Sequence, residues 1–370
     1  MEIRIKRYFF CLLLFCSPNW VLAQSSNGTM FRANLQHTGS YKTGGINHFK
    51  GVLWRFKTKS IVEAWFSSPT LSESTVYVGS DDGTLYAIDA QTGKERWSFK
   101  TGDVVYSSPA IADSAVYVGS HDGYLYSLDT RTGALRWKFK TGNRVYSSPA
   151  VDRGVVYFGS ADGHLYAVDA TSGAERWNFN AGDRINSSPA VSNGMVYFGC
   201  WDYSLYALDA ETGRARWKFK TAYRILSSPA VADEVVYFGS MDGNLYALSA
   251  ANGGEIWRFK TKGLIRSSPA IAHGLILFGS DDDYLYAVDG KTGQESWRFK
   301  TNGAIMSSPA VANGAVYFGS SDNYLYAVDI ETGKRRWKFK ASSSWMRSSP
   351  ALGEGAVYFG CDDGYLYALQ

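Results

Sequence analysis

The chain has 370 residues, 45% of them hydrophobic and 15% aromatic, and a formal net charge of +4. That balance excludes a disordered or collagen-like chain, and the small charge argues against a dedicated nucleic-acid binder, which needs a concentrated basic face. Length alone would allow two domains, but an internal period overrules that count.

Met1–Arg7 is basic, Tyr8–Cys16 is apolar but too short to span a bilayer, and Val21-Leu22-Ala23 places small residues where a signal peptidase cuts. Residues 1–23 therefore read as an export signal, cleaved near Ala23. Phe10 and Phe15 precede Cys11 and Cys16, where lipidation would need a small residue, so a lipid anchor is not expected. No second apolar run follows, so the mature chain is expected to be periplasmic or secreted, with no transmembrane segment. Residues 24–50 read as a lead-in and 51–370 as one repeat array.

Ser-Ser-Pro-Ala recurs every 40 residues from Ser107 to Ser307, and Ser67 and Ser348 begin two further copies. A fixed period of this length marks a repeat architecture. In the copy at Ser107, Ser107–Ala112 reads as a first strand and Ala115–Ser120 as a second, rich in β-formers. The Asp122-Gly123 turn leads to a third, Tyr124–Asp129. The fourth, Arg136–Thr141, alternates Trp137 and Phe139 with Lys138 and Lys140, the pattern of a half-buried strand. Four antiparallel strands in about 40 residues make a propeller blade, so the fold class is all-β, an eight-bladed β-propeller.

The ends predict closure. The last repeat stops at Gln370 in its third strand, and an orphan fourth strand, Gly51–Thr58, precedes the first repeat. Pairing the two completes one blade and removes two raw sheet edges. Trp54, Trp97, Trp137, Trp177, Trp217, Trp257, Trp297 and Trp337 then supply one scaffold tryptophan per blade. The Lys and Arg of the fourth strands lie around the rim, where cations block edge-to-edge pairing.

Positions that repeat unchanged serve the scaffold; positions that vary between copies can encode a ligand. The loop entering each first strand and the loop between the second and third strands emerge at one end of a blade. There the sequence places Arg144, Arg184, Arg224 and Arg266 on one arc. Trp345, Phe66, Tyr106 and Tyr146 lie on another, with Arg347 and Trp201 beside them. Aromatic planes suit apolar groups or sugars, and guanidinium forks suit carboxylates, so these ten residues form the candidate binding site. Cys200 and Cys361 hold the same repeat position in blades four and eight, on opposite sides of the ring. A disulfide needs Cα atoms within about 7 Å, so two reduced, partly buried thiols are expected. The acidic runs Asp81-Asp82 and Asp281-Asp282-Asp283 lack the spacing of a calcium loop and read as hairpin turns.

Ala87-Ile88-Asp89-Ala90-Gln91-Thr92-Gly93-Lys94-Glu95-Arg96-Trp97 resembles the tryptophan-docking motif of quinoprotein-type propellers, Ala-x-Asp-x-x-Thr-Gly-x-x-x-Trp. Copies run to Trp337; Ser127 replaces the Ala in one, and Ser249 and Asn252 replace the Asp and Thr in another. Met30–Gly39 resembles the lead-in of bacterial PQQ-like repeat proteins. The resemblance implies the eight-bladed fold and little about activity, because this fold hosts dehydrogenases, assembly factors and binders. The enzymes of the group bind pyrroloquinoline quinone, often with Ca²⁺, and hold the metal with carboxylates from insertions. This chain has neither such insertions nor adjacent cysteines, so no cofactor and no catalytic residue are expected. The implied role is a non-catalytic binding or scaffold module, similar to the outer-membrane protein assembly propeller. A PQQ-dependent oxidoreductase and a secreted saccharide-binding module are the alternatives. The expected partner of a monomeric chain is an envelope protein, a peptide segment or an anionic saccharide, and not a nucleic acid.

Overall fold

A computed structural model describes residues 30–42, 44–59, 67–341, 345–353 and 355–370. The expected signal segment and Phe66 lie outside them. The described residues form eight four-stranded antiparallel sheets and no helix. Blade one starts at Thr70, and each next blade starts about 40 residues later.

Blade two shows the unit: inner strand Ala110–Ala112, second strand Ala115–Gly119, third strand Tyr124–Asp129 and outer strand Leu135–Lys140. The inner strand is three residues shorter than the sequence suggested. Ser107-Ser108-Pro109 leaves the ladder, because Pro109 has no N–H to give it and Ser108 bonds sideways. Its backbone N–H donates to Ser148 Oγ of the next blade at 2.9 Å. The same bond joins every neighbour, from Ser68 to Ser108 through to Ser308 to Ser349 and Ser349 back to Ser68, at 2.9–3.1 Å. The motif is thus a closed circle of hydrogen bonds around the channel.

The turns are knitted by aspartate. Asp122 accepts from its own turn (Tyr124 N–H, 3.0 Å), from Tyr126 Oη (2.6 Å) and from Gly102 N–H in the loop arriving from blade one (2.8 Å). His121 N–H donates to Val104 O at 2.9 Å. These bonds put the two variable loops at the same end of the ring. Asp82 and Asp282 cap their turns in the same way.

Blades are bolted together by tryptophan. Trp97 Nε1 donates to Thr130 O of the next blade at 2.8 Å, and the equivalent bond recurs from Trp137 to Trp297 at 2.8–3.1 Å. The ring of Trp97 lies on Gly133, where a Cβ would stand 2.7 Å from the indole and φ is +71°. Only glycine meets both demands. Phe158, Phe198, Phe238, Phe278, Phe318 and Phe359 fill the inter-blade core and are fully buried, each worth roughly 2–3 kcal/mol by area.

Val52–Lys57 pairs antiparallel with Tyr365–Leu369, Arg55 opposite Tyr367 and Phe56 opposite Leu366. The ring is therefore closed by the two ends of the chain, and Gln370 N–H reaches Gly51 O at 3.0 Å. In blade eight the third and outer strands come from distant parts of the chain, and among the described residues no turn joins them to receive Trp337. The lead-in replaces it: Trp337 Nε1 donates to Ile46 O at 3.3 Å and its ring stacks on Phe49 at 5.7 Å.

The lead-in also crosses the channel. Met30, Arg32, Ala33 and His37 are buried. Arg32 Nη2 donates to Pro269 O in blade six at 2.7 Å, far from Met30, which packs with Ala110 and Val151 of blades two and three. Burial lowers the Arg32 guanidinium to about 9.

Candidate functional site at the channel mouth

The Ser-Ser-Pro end of the channel opens into a cavity of about 590 Å³. Of the ten candidate residues, it brings together Tyr106, Tyr146, Trp201, Arg224, Arg266, Trp345 and Arg347. Arg144 and Arg184 stand on its rim rather than in its lining, and Phe66 lies outside the described residues. The floor adds Asn186, Leu226, Met241 and Met306. These occupy the same repeat positions as the candidates, but as uncharged, non-aromatic side chains they were not selected with them.

The arginines expected at the mouth differ in state. Arg266 Nη2 is 3.2 Å from Asp281 Oδ2, and Arg347 Nη1 is 3.5 Å from Asp362 Oδ2. Those charges are largely answered within the ring, because the position after Gly-Ser faces the position before Ser-Ser-Pro of the same blade. Arg184 and Arg224 are different. Their Cζ atoms lie 5.1 and 4.4 Å from the Trp201 ring. Neither guanidinium forms an ion pair among the described residues, although the Arg184 backbone N–H donates to Asp183 Oδ1 at 2.7 Å. Such cation–π contacts fix the guanidinium planes and leave their N–H edges available.

Around the mouth from these, Tyr106, His121 and Tyr146 cluster, with His121 4.7 Å from the first ring and 4.1 Å from the second. Arg144 Nη1 donates to Tyr146 Oη at 3.4 Å. Burial, aided by the Arg144 charge, pulls the His121 imidazole down to about 4, so it is neutral at physiological pH. His121 belongs to this site, and sequence reasoning passed over it. Burial raises the Asp281 carboxyl despite Arg266.

Next to Trp201 the repeat breaks. Its turn carries Tyr203 at φ +73°, where neighbouring blades have Gly163 and Gly243. Tyr203 packs, tilted, against the exposed Tyr223 with ring centroids 5.5 Å apart. Just before Trp201, Cys200 takes the serine's place: its Sγ approaches Asp183 O and accepts from Asp202 N–H, as Ser120 does in blade two. Burial pushes the Cys200 thiol up to about 12 and Cys361 higher still. Both are buried protonated thiols, unsuited to nucleophilic work.

Among solved structures, BamB from Moraxella catarrhalis aligns with a TM-score of 0.73 at 19% identity, covering 86% of this chain and 97% of that one. Quinohemoprotein alcohol dehydrogenase from Comamonas testosteroni aligns at 0.80 and 16%, covering 93% and 80%, and a europium-containing methanol dehydrogenase at 0.77 and 17%, covering 94% and 89%. At these identities the likeness is one of fold. No curated protein matches the sequence. The family model described as outer membrane protein assembly factor BamB matches residues 50–144, 121–261 and 241–370. With all eight blades inside that match, the chain belongs to the BamB family of propellers.

Proposed function

We propose that the protein is a non-catalytic binding scaffold that works outside the cytoplasm, and that its channel mouth holds an acidic, partly apolar segment of an envelope protein. The observation that carries this is the pair Arg184 and Arg224, both held over the Trp201 ring with no ion-paired carboxylate among the described residues, beside a floor of Leu226, Met241 and Met306. Two preset guanidinium edges suit carboxylates, and thioether and leucine surfaces suit apolar side chains of varied shape. Family membership supports a role in envelope protein assembly, and the export signal read from the sequence fits that location. No helix among the described residues is long and apolar enough to cross a membrane.

Quinone chemistry fits these residues poorly. Calcium collects several oxygen ligands at one point. At the mouth Asp281 and Asp362 are each turned to an arginine, and no three His, Cys, Asp or Glu side chains gather among the described residues. An acidic saccharide is a weaker fit than a peptide, because two guanidinium groups already lie against the Trp201 ring.

The test is fluorescence anisotropy with a short labelled peptide of alternating Glu and Leu. Arg184→Ala with Arg224→Ala should weaken its binding at least about tenfold, from the loss of charge-assisted bonds. Equal binding by the double variant, or equal binding of a Lys/Leu peptide, would overturn the assignment.

A further inference from the structure

The lead-in shows how the inner strands receive an extended chain. Backbone N–H groups of Val191, Val231, Ile271 and Val311, the middle residues of four inner strands, donate to Leu35, Gln36, Thr38 and Gly39 carbonyls at 2.7–2.9 Å. These residues face Val196, Val236, Ile276 and Val316 in register, and Ile111 and Val151 face Val116 and Val156 in the same register. Their N–H groups therefore also point away from their own blades, because alternate residues of an antiparallel edge strand bond outward. In blades two and three these two groups find no acceptor among the described residues.

Beside them lies a groove of about 700 Å³, lined by Ile111, Val151, Met30 and Leu35. It continues the line of the lead-in, at the end of the channel opposite the mouth. Its lip carries Glu73 and Asp113, both exposed and neither ion-paired among the described residues. Asp129 is engaged by Arg136, and Arg96 by Asp89, which leaves Arg131 as the other cation in the groove's lining; Arg153, in the corresponding turn of blade three, lies 3.8 Å from Asp152.

We propose that this groove takes an extended polypeptide from a partner, apolar with interspersed basic residues, laid along the inner strands of blades two and three as the lead-in is laid along blades four to seven. Unpaired strand edges are templates for exactly such addition, with backbone bonds giving affinity and alternate side chains giving selectivity. On the export-signal reading the residues left before Met30 are Gln24-Ser25-Ser26-Asn27-Gly28-Thr29, which contain no cation, so the charge on the lip favours a partner over them. The inference does not rest on the acidic-segment reading of the mouth, which uses other residues and the opposite charge.

A short labelled peptide of alternating Lys and Val tests it, with the full chain and fluorescence anisotropy. Ile111→Pro deletes the outward N–H without touching the ladder, and should weaken binding about tenfold, the equivalent of one well-made backbone bond. Glu73→Gln with Asp113→Asn alters only exposed turn residues, should weaken binding several-fold and should flatten its salt dependence. The Glu/Leu peptide should not compete. The proposal falls if the Lys/Val peptide does not bind, which is also what occupancy by residues 24–29 would give. It falls equally if both variants bind like the parent, or if the Glu/Leu peptide displaces it.

Discussion

Gly133 and Gly154 both have positive φ, +71° and +74°, yet a Cβ at Gly133 would meet the Trp97 ring at 2.7 Å while one at Gly154 would meet nothing within 4 Å. Gly154→Ala should therefore cost only the backbone term, about 1 kcal/mol. Gly133→Ala should cost about 1–3 kcal/mol more, because the indole has to move off its carbonyl. Urea unfolding of the two variants measures the difference, and equal losses would mean that the indole is not held on the Thr130 carbonyl. At this scale the sequence showed which residues repeat and which vary. It could not show that Arg266 and Arg347 are tied to Asp281 and Asp362 while Arg184 and Arg224 are not, since partnership depends on which turn a loop meets in space. His121 was hidden for the same reason: its identity was visible, but not its place between Tyr106 and Tyr146.

The hairpin between third and outer strands is latched by charge. Asp89 accepts from Arg96 at 2.7 Å and from Thr92 N–H and Oγ1 at 2.8 Å, and these bonds hold its carboxyl down to about 2. Asp209 and Asp329 are held down to about 2 in the same way, first by Arg216 and Arg336. A carboxyl whose folded value is depressed stabilises the fold above its unfolded value and loses that contribution as acid protonates it. The thermal midpoint should thus fall as pH drops from about 4 towards 2, because several blades titrate over the window that these values define. His121, pulled down to about 4, adds a loss beginning nearer its ordinary value of about 6.5, since the buried neutral ring resists protonation. A midpoint indifferent to pH below 4 would contradict the latch. The four strands of each element were legible from alternation and turn residues. The inner strand came out shorter because the Ser-Ser-Pro bonds run between blades, a partnership that no single repeat contains.

Eight blades and their closure were readable because the period is fixed and one blade is split between the ends of the chain. The lead-in's path was not. Leu35, Gln36, Thr38 and Gly39 bond to backbone groups about 155 to 270 residues away, and backbone acceptors leave no mark in sequence. That path gives the ring two unlike ends: a mouth with unanswered arginines, and an opposite face that the lead-in covers in part. Amide hydrogen exchange of the whole chain, with and without the Glu/Leu peptide, addresses this most directly. Slowed exchange at Val104–Tyr106, Arg184–Asn186, Trp201–Tyr203 and Arg224–Leu226, with the turns near Asp113 and Arg153 unchanged, is the result that follows from a binding mouth. Slowing at those turns instead, or none anywhere under saturating peptide, would contradict it.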